Sequence, residues 1–183
     1  GKIFKKNKKI WILETNGIIY KEAVTERNAI VLSNVAKRLE IKAYKNCDVL
    51  ICVSDTLKDI IVREANIPES KVIVVPNGVD TKRFAPSKYK GKRLFENFTV
   101  GFVGSLYPWQ GINYLIQAVH LLKKENIVVN LTIIGDGPKK SEWEKLSKDL
   151  ELQNQVNFVG RVSGNEVPNF IEGFDLCFSG QVD

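Results

Sequence analysis

Residues 98–137 read FTVGFVGSLYPWQGINYLIQAVHLLKKENIVVNLTIIGDG. The stretch begins with a buried-strand pattern, passes through a loop bounded by glycines into an apolar helix pattern, and ends in a second buried strand with its own glycine turn. At the carboxyl ends of strands in an open parallel sheet, free backbone N–H groups and the helix dipole attract anionic ligands. Two such loops on one rim therefore predict a nucleotide pocket.

The alternation of strand and helix patterns continues on both sides of this stretch. The predicted strands are residues 10–15, 48–53, 71–75, 98–103, 129–134, 155–159 and 174–179. The predicted helices are residues 26–46, 55–65, 111–125 and 138–150, with Ser54 as the cap of the second. The sequence SGNE at 163–166 predicts a capping box at one more helix start. Because buried strands that alternate with helices form parallel, doubly wound sheets, the chain is predicted to be an α/β protein.

Residues 80–97 (DTKRFAPSKYKGKRLFEN) interrupt the alternation. They have no hydrophobic period, many charges, one proline and one glycine, which is typical of a linker. The sequence therefore predicts two Rossmann-like parallel-sheet lobes, at 1–79 and 98–183, joined by this linker. Since each lobe has fewer strands than such sheets usually carry, we expect both to be incomplete and the chain to be the middle of a longer protein.

The composition is that of a globular protein, with 44% hydrophobic and 26% charged residues. No apolar run approaches the ~20 residues that span a bilayer, and the start of the chain lacks a signal-peptide cleavage site, so a cytoplasmic address is expected. Cys47, Cys52 and Cys177 lie in or beside apolar runs without metal-ligand spacing, and are expected to be buried, reduced thiols.

The net charge of +6 is unevenly placed. The basic residues that crowd the first half are Lys2, Lys5, Lys6, Lys8, Lys9, Lys37, Arg38, Lys42 and Lys45. This half could associate peripherally with an anionic membrane, which would put the protein at the inner membrane surface, or it could be a solvated helix face with a polar leader. Because it lacks interleaved aromatic residues, no nucleic-acid partner is expected.

Six segments carry a family resemblance. In chain order they are VVPNGVD, F-x-P, GFVGSL…QG, IIGDGP, VNFVGRV and FDLCFS. Together they resemble family 4 of the glycosyltransferases, the large retaining family of GT-B fold, from about Cys47 to the end of the chain. The resemblance implies that residues 1–79 are the last part of an acceptor-side domain. Residues 98–183 would be the first part of a domain that binds a nucleotide sugar.

The resemblance also implies a site, position by position. The donor diphosphate would meet Gly104, Ser105, Gln110 and Gly111. A second pocket loop would be Gly135, Asp136 and Gly137, and the nucleobase would lie along Gly160, Arg161 and Val162. Asn77 and Asp80 match positions near the inter-domain cleft, where a structural role is expected. Physical chemistry supports the first loop independently, because glycine lets a backbone approach phosphate closely at a helix start.

The chain departs from the family in its cations and its catalytic groups. Many members carry an arginine near Ser105 and a lysine at Gln110, and here neither is present. The phosphate charge would then be met by N–H groups, Lys139, Lys140, Arg161 or residues outside the chain. The family's catalytic histidine and its pair of glutamates separated by seven residues are also absent, and His120 is expected to be a packed helix residue. Catalytic residues therefore stay unassigned, and the chain alone is expected to bind donor weakly and not to turn over.

The activity implied is sugar transfer, with retention, from a nucleoside diphosphate sugar to a glycan or lipid acceptor, as in polysaccharide biosynthesis. No Asp-x-Asp pair follows a strand, so a metal-independent reaction without a cofactor is expected. One alternative is a nicotinamide-dependent oxidoreductase, but Gly104 and Gly111 are too far apart for its fingerprint and Asp136 comes too late. A related epimerase and a non-catalytic nucleotide- or membrane-binding module stay open.

Three further residues have two interpretations, and a fourth has one. Glu14 and Glu22 could face a cleft from the acceptor side, although solvated loop carboxylates are favoured. Trp109 could stack on a base or sugar, or could cover its own loop. Trp143 lies on an amphipathic helix pattern and is expected in the core.

Overall fold

The computed structural model describes residues 9–23, 32–86, 88 and 90–181. The chain divides into two compact units, Gly1–Val79 and Asp80–Asp183, each with its own sheet and core. The predicted basic cluster at residues 2–8 and the first part of the helix predicted at 26–46 lie outside the described residues.

The first unit is a three-stranded parallel sheet with helices. Its elements are β1 (Ile12–Thr15), a single helical turn at Ile19–Lys21, α1 (Ser33–Asn46), β2 (Val49–Cys52), α2 (Asp55–Ala65), a 3-10 turn at Glu69–Lys71 and β3 (Val72–Val74). The strand order is β1-β2-β3. The predicted cap of α2 is confirmed, because the Leu57 N–H donates to Ser54 Oγ at 3.2 Å. Leu50 of β2 and Ile61 of α2 are fully buried in the core between sheet and helix.

The second unit is a four-stranded parallel sheet. Its elements are β4 (Thr99–Val103), a 3-10 turn at Pro108–Gln110, α3 (Ile112–Lys124), β5 (Asn130–Ile134), α4 (Lys140–Asp149), β6 (Val156–Gly160), α5 (Val167–Glu172) and β7 (Leu176–Cys177). The strand order is β6-β5-β4-β7, and every pairing is parallel. The α/β prediction of two parallel-sheet lobes is therefore confirmed.

The core of the second unit explains its hydrophobic pattern. β5 has a neighbour on each side, and all five of its residues are buried, including the polar Asn130 and Thr132 beside Leu131, Ile133 and Ile134. Ile112, Ile116 and Val119 form one face of α3 at helical spacing and pack in the same core. Trp143 on α4 is 2% exposed, as its amphipathic pattern predicted.

The segment at 80–97 packs on the second unit, although its domain assignment from sequence stays a prediction. The Lys92 N–H donates to the carbonyl of Asn169 in α5 at 2.7 Å. The Arg93 guanidinium binds the Asp175 carboxylate at 2.6 Å, and the Thr99 N–H donates to the same carboxylate at 2.8 Å. These hydrogen bonds, that of Arg93 first, hold the pKa of Asp175 below its usual range. At least one charged residue of this segment, Arg93, therefore has a structural role in the second unit.

Three sequence expectations about the end of the chain are wrong: the capping box, the length of the last strand and the burial of Cys177. The capping box at 163–166 is only half formed: Glu166 accepts from the Ser163 N–H at 3.2 Å, but the Ser163 hydroxyl also donates to Glu166, and α5 starts at Val167. The last strand covers Leu176–Cys177 alone, because its register with β4 extends over two residues. Cys177 is exposed on this edge strand, whereas Cys47 and Cys52 are buried as expected.

Candidate functional site

A cleft of about 240 Å³ opens in the second unit where β4, β5 and β6 end. Its walls are Val103, Gly104, Ser105, Ile134, Gly135, Asp136, Arg161, Val162 and Val167. The carboxyl ends of parallel strands meet at one edge of a sheet, which is why three loops far apart in sequence converge here. Residues from all three predicted pocket loops therefore line one cleft.

The loops after β4 and β5 are fastened to each other by main-chain hydrogen bonds. The Gly104 N–H donates to the carbonyl of Ile134 at 3.0 Å, and the Leu106 N–H donates to the carbonyl of Asp136 at 3.0 Å. The Lys139 N–H returns to the carbonyl of Leu106 at 3.1 Å. Because bonds run in both directions, the two loops form one rigid corner before any ligand arrives.

Glycine is required where the two loops touch. Gly135 has a φ of +134°, and a Cβ built on it would lie 1.8 Å from the carbonyl oxygen of Gly104. A Cβ on Gly137 would lie 2.6 Å from the Leu106 nitrogen. Any side chain at these positions would push the loops apart. The sequence GDG at 135–137 thus has a steric reason in the fold.

The third loop follows β6 and joins the second through one main-chain bond. The Gly135 N–H donates to the carbonyl of Gly160 at 2.9 Å, beside an irregularity in the β5–β6 register at Ile133 and Ile134. Gly160 has a φ of +84°, a left-handed conformation that turns the chain so that Arg161 and Val162 line the cleft.

Among the loop residues of the cleft wall, four main-chain N–H groups have no hydrogen-bond acceptor within the described ranges. They belong to Ser105, Asp136, Arg161 and Val162. A backbone donor without a partner retains its full capacity to bind an acceptor. Successive N–H groups around a turn form a concavity that favours anions. The cleft therefore offers donors from three loops to a ligand rich in oxygen atoms.

The charged residues of the cleft wall are Arg161 and Asp136. The Asp136 carboxylate accepts the Gly137 N–H at 2.9 Å. Two lysines at the start of α4 pair with their own helix: Lys139 with Glu142, and Lys140 with Glu144 at 3.9 Å. Of the three cations considered from sequence, Arg161 is the one that lines the cleft.

Two residues of the predicted diphosphate loop do not line the cleft. Gly111 is buried with a φ of +67° and starts α3, so its part is to turn the chain into the helix. Gln110 is half-buried at the end of the 3-10 turn. In the same turn Trp109 stacks on Tyr107, with ring centroids 4.4 Å apart. Trp109 thus contacts its own loop, the second of its two interpretations.

Asn77 and Asp80 lie outside this cleft. Asn77 is exposed in the first unit. The Asp80 carboxylate accepts the N–H groups of Lys82 at 2.9 Å and of Arg83 at 3.1 Å, which is a turn-capping arrangement. This contact fits the structural role expected for Asp80. His120 is half-buried on α3, as expected for a packed helix residue, and its Nδ1 is buried without a hydrogen-bond partner among the described residues.

Three apolar residues of the cleft wall escaped the sequence analysis. Val103 and Ile134 are the last residues of β4 and β5, and Val167 is the first residue of α5. The strand ends could have been included, because residues at that edge face the loops. Val167 could not have been predicted to line the cleft, since the capping-box pattern placed the helix start earlier in the chain.

The first unit contains a second cavity of about 260 Å³ at the end of β1. Glu40 of α1 accepts the N–H groups of Ile19 at 3.0 Å and Tyr20 at 2.7 Å, and also the Tyr44 hydroxyl. Burial, followed by the bond that its hydroxyl donates to Glu64, raises the pKa of Tyr20 to about 12. The helical turn at Ile19–Lys21 is therefore fastened to α1.

The two acidic residues considered as possible cleft residues differ in exposure and in their position relative to this cavity. Glu14 is exposed and lines this second cavity, whereas Glu22 is half-buried and does not line it. Both positions lie in the first unit.

Helix α1 has a mixed outer surface. Val35 and Leu39 of α1 and Leu32 just before it are 47%, 61% and 67% exposed, beside the exposed cations Lys37, Arg38 and Lys42. Within the described ranges no helix combines the length and the apolar character needed to cross a bilayer.

Two family models match the chain. The model described as Glycosyl transferases group 1 matches residues 86–180, and the model described as Glycosyltransferase Family 4 matches residues 23–83. Together they cover most of the described residues. The predicted resemblance is therefore confirmed by comparison.

Individual relatives agree. The chain is 30% identical over 164 residues to the Escherichia coli UDP-Gal:alpha-D-GlcNAc-diphosphoundecaprenol alpha-1,3-galactosyltransferase, covering 83% of this chain and 41% of that one. It is also 30% identical over 118 residues to the Schizosaccharomyces pombe phosphatidylinositol N-acetylglucosaminyltransferase gpi3 subunit, covering 64% of this chain and 25% of that one. The chain thus spans less than half the length of these relatives.

Solved structures show the same fold. The sucrose-phosphate synthase of Thermosynechococcus elongatus superposes with a TM-score of 0.75 at 17% identity, covering 98% of this chain and 46% of that one. Anabaena HepE in complex with UDP superposes with a TM-score of 0.70 at 17% identity, covering 96% and 48%. Both are GT-B structures, so the predicted fold class is confirmed.

Proposed function

Because this chain belongs to the group 1 glycosyltransferases, we propose that it supplies the donor-binding loops of an enzyme that transfers a sugar from a uridine diphosphate sugar to a glycan or lipid acceptor. The observation that carries the proposal is the cleft at the ends of β4, β5 and β6, with its four unpartnered N–H groups. The choice of uridine follows the name of the galactosyltransferase relative, whose donor is UDP-Gal.

The mechanism we propose is electrostatic. As the bond from sugar to diphosphate breaks, negative charge builds on the leaving UDP. N–H groups already held in place by the locked loops can meet this charge without reorganising, as the donors of an oxyanion hole do. The Ser105 and Asp136 amides on the rigid corner are suited to the diphosphate, and the Gly160–Val162 loop to the base.

Three finer features belong to the same proposal. We propose transfer with retention, because the resemblance to family 4 implies it. We propose a reaction without metal, because the sequence has no Asp-x-Asp pair after a strand to hold one. We also propose that the 183-residue chain does not turn over by itself, because its sequence has no counterpart of the family's glutamate pair or catalytic histidine.

A nucleotide titration followed by NMR tests the site. Adding UDP to the ¹⁵N-labelled chain should shift the amide resonances of Ser105, Asp136, Arg161 and Val162 and leave those of the first-unit core, such as Leu50, in place. GDP and ADP are the matched controls for the base. Shifts absent from the cleft, or spread evenly over both units, would contradict the proposal.

An enzymatic assay tests the statement about turnover. The chain should release no UDP from UDP-galactose or UDP-N-acetylglucosamine, with or without a lipid-linked acceptor. Release of UDP well above that of a Gly135→Ala variant would show that a catalytic group within the 183 residues has been overlooked.

We further propose a second property, peripheral association with the cytoplasmic face of a membrane through α1. The exposed leucines at 32 and 39 beside Lys37, Arg38 and Lys42 combine apolar and cationic surface on one helix. Such surfaces bind anionic bilayers through burial of apolar area and charge attraction.

Vesicle co-sedimentation tests this association. The chain should bind phosphatidylcholine vesicles that contain phosphatidylglycerol, and binding should weaken as salt is added. A Leu32→Ser/Leu39→Ser variant should bind less. A Leu121→Ser variant, which alters a leucine 60% exposed on α3, is the control and should bind as the parent does. Equal binding by all three proteins would exclude α1 as the contact.

A further inference from the structure

Two phosphate groups would bring a concentrated negative charge into the cleft. Main-chain N–H groups supply direction and partial positive charge, but an ionic partner makes hydrogen bonds to phosphate shorter and roughly twice as strong. The position of a cation on the cleft wall is therefore informative about where the phosphates lie. This step rests on the proposed function.

Arg161 is the cation that the fold presents to the cleft. It follows Gly160, whose left-handed φ of +84° sets the direction of the chain at the end of β6. Its side chain is exposed and makes no hydrogen bond or ion pair with the described residues. The guanidinium thus has all of its donors available.

The neighbouring cations are already engaged. Lys139 pairs with Glu142, and the Lys140 ammonium lies 3.9 Å from Glu144. Neither lysine lines the cleft. Of these three cations, Arg161 is therefore the one that lines the cleft and has no carboxylate partner among the described residues.

The main chain of the same residue points to the same ligand chemistry. The N–H groups of Arg161 and Val162 are consecutive and both lack an acceptor in the part of the chain that the structure describes. These free main-chain donors lie on the same loop as the guanidinium and can add hydrogen bonds to an anion that it binds. A planar guanidinium adds a bidentate fork that matches phosphate geometry.

We propose that Arg161 is a specificity-determining residue that binds the diphosphate of the donor through its guanidinium, so that the loop after β6 recognises phosphate as well as the base. This assigns to the Arg161 side chain a role that the main-chain contacts of the loop do not supply. Recognition of UDP over uridine then depends on this residue.

The test compares UDP with uridine on four proteins by NMR titration. The proteins are the parent chain, Arg161→Ala, Arg161→Lys and, as a control of equal charge, Arg63→Ala on α2 of the first unit. Arg161→Ala should weaken UDP binding about tenfold or more, the range expected for a hydrogen bond to a charged group, and should leave uridine affinity unchanged. The UDP affinity of Arg161→Lys should lie between those of the parent and Arg161→Ala, because lysine keeps the charge and loses the bidentate fork.

The outcomes distinguish failure of the role assigned to Arg161 from failure of the proposed function. If Arg161→Ala leaves UDP affinity within twofold of the parent, or weakens uridine and UDP equally, the assignment of Arg161 is wrong while the proposed function stands. If the parent chain itself shows no UDP-dependent shift of amide resonances at the cleft, the proposed function is wrong, and so is the role assigned to Arg161. A comparable loss in Arg63→Ala would show that net charge, not position, is responsible.

Discussion

Gly135 occupies the narrowest point of the candidate site. Its φ of +134° is a conformation that L side chains rarely adopt, and a Cβ there would overlap the Gly104 carbonyl oxygen. We expect Gly135→Ala to destabilise the second unit by about 3 kcal/mol or more, since strain and overlap add. Urea unfolding followed by the fluorotryptophan NMR signal of Trp143 measures the change.

Gly78→Ala is the control for this prediction, because a Cβ at Gly78 meets nothing within 4 Å, and the signal of Trp11 reports its effect in the first unit. It should alter stability little. If both substitutions cost the same, the steric reason given for the glycine turn is wrong.

At the residue scale, the sequence predicted the glycine corners well and the loop interior poorly. A glycine after an apolar strand run has few uses other than a tight turn, so Gly104 and Gly135 could be placed at the cleft. Gln110 could not, because the path between Ser105 and Gly111 depends on a 3-10 turn and a Tyr107–Trp109 stack. Such contacts between neighbouring side chains leave no periodic signal.

At the element scale, Ser54 tests how far α2 depends on its cap. Its Oγ accepts the Leu57 N–H, one of the donors that a helix start leaves without partners. Ser54→Ala should cost about 1 kcal/mol in unfolding free energy. Ser141→Ala, an exposed serine within α4, is the comparison, and it should be neutral or slightly stabilising. Chemical denaturation of both variants measures the difference, and a Ser54 effect no larger than that of Ser141 would contradict the cap.

The pairing of Arg93 with Asp175 should give the second unit an acid-sensitive component. The pKa of Asp175 is lowered from 3.8 in the folded state, by the Arg93 hydrogen bond first and that of Thr99 next. Because the folded pKa is the lower one, this contribution is complete above the ordinary pKa and is lost as the pH falls through the folded value. Asp175→Asn should therefore lose less stability than the parent on acidification below about pH 4.

Urea unfolding at mildly acidic and strongly acidic pH measures this difference. Asp149→Asn is the control, because the Asp149 carboxylate has no hydrogen-bond or ion-pair partner among the described residues, and this variant should follow the pH profile of the parent. If the difference in unfolding free energy between the parent and Asp175→Asn stays constant across the acid range, the Arg93–Asp175 pair is not the source of the acid sensitivity.

Most elements could be predicted because their signals are local. Strands β2, β4 and β5 lie within a residue of their predicted ends, since an apolar run bounded by turn residues leaves little choice. The ends of β7 and α5 could not be predicted. The length of β7 is set by its register with β4, and the start of α5 depends on how Ser163 and Glu166 share their donors.

For the whole molecule, two separate cores predict two separately perturbable units. Leu50 is fully buried in the first core and Ile133 in the second. Leu50→Ala and Ile133→Ala should each cost about 3 kcal/mol, each in its own unit only. Fluorotryptophan NMR resolves the two, since Trp11 reports the first unit and Trp143 the second. Simultaneous loss of both signals in either variant would show that the chain unfolds as one body.

The exposed position of Cys177 has a practical consequence. Burial shields Cys47 and Cys52, and it raises the pKa of the Cys52 thiol, so the reactive thiolate form is disfavoured there. A maleimide dye should therefore attach at one place in the native chain, on the strand beside β4. Without any engineered substitution, the protein thus has a single site for a fluorescent label, on the sheet whose other strands end at the cleft.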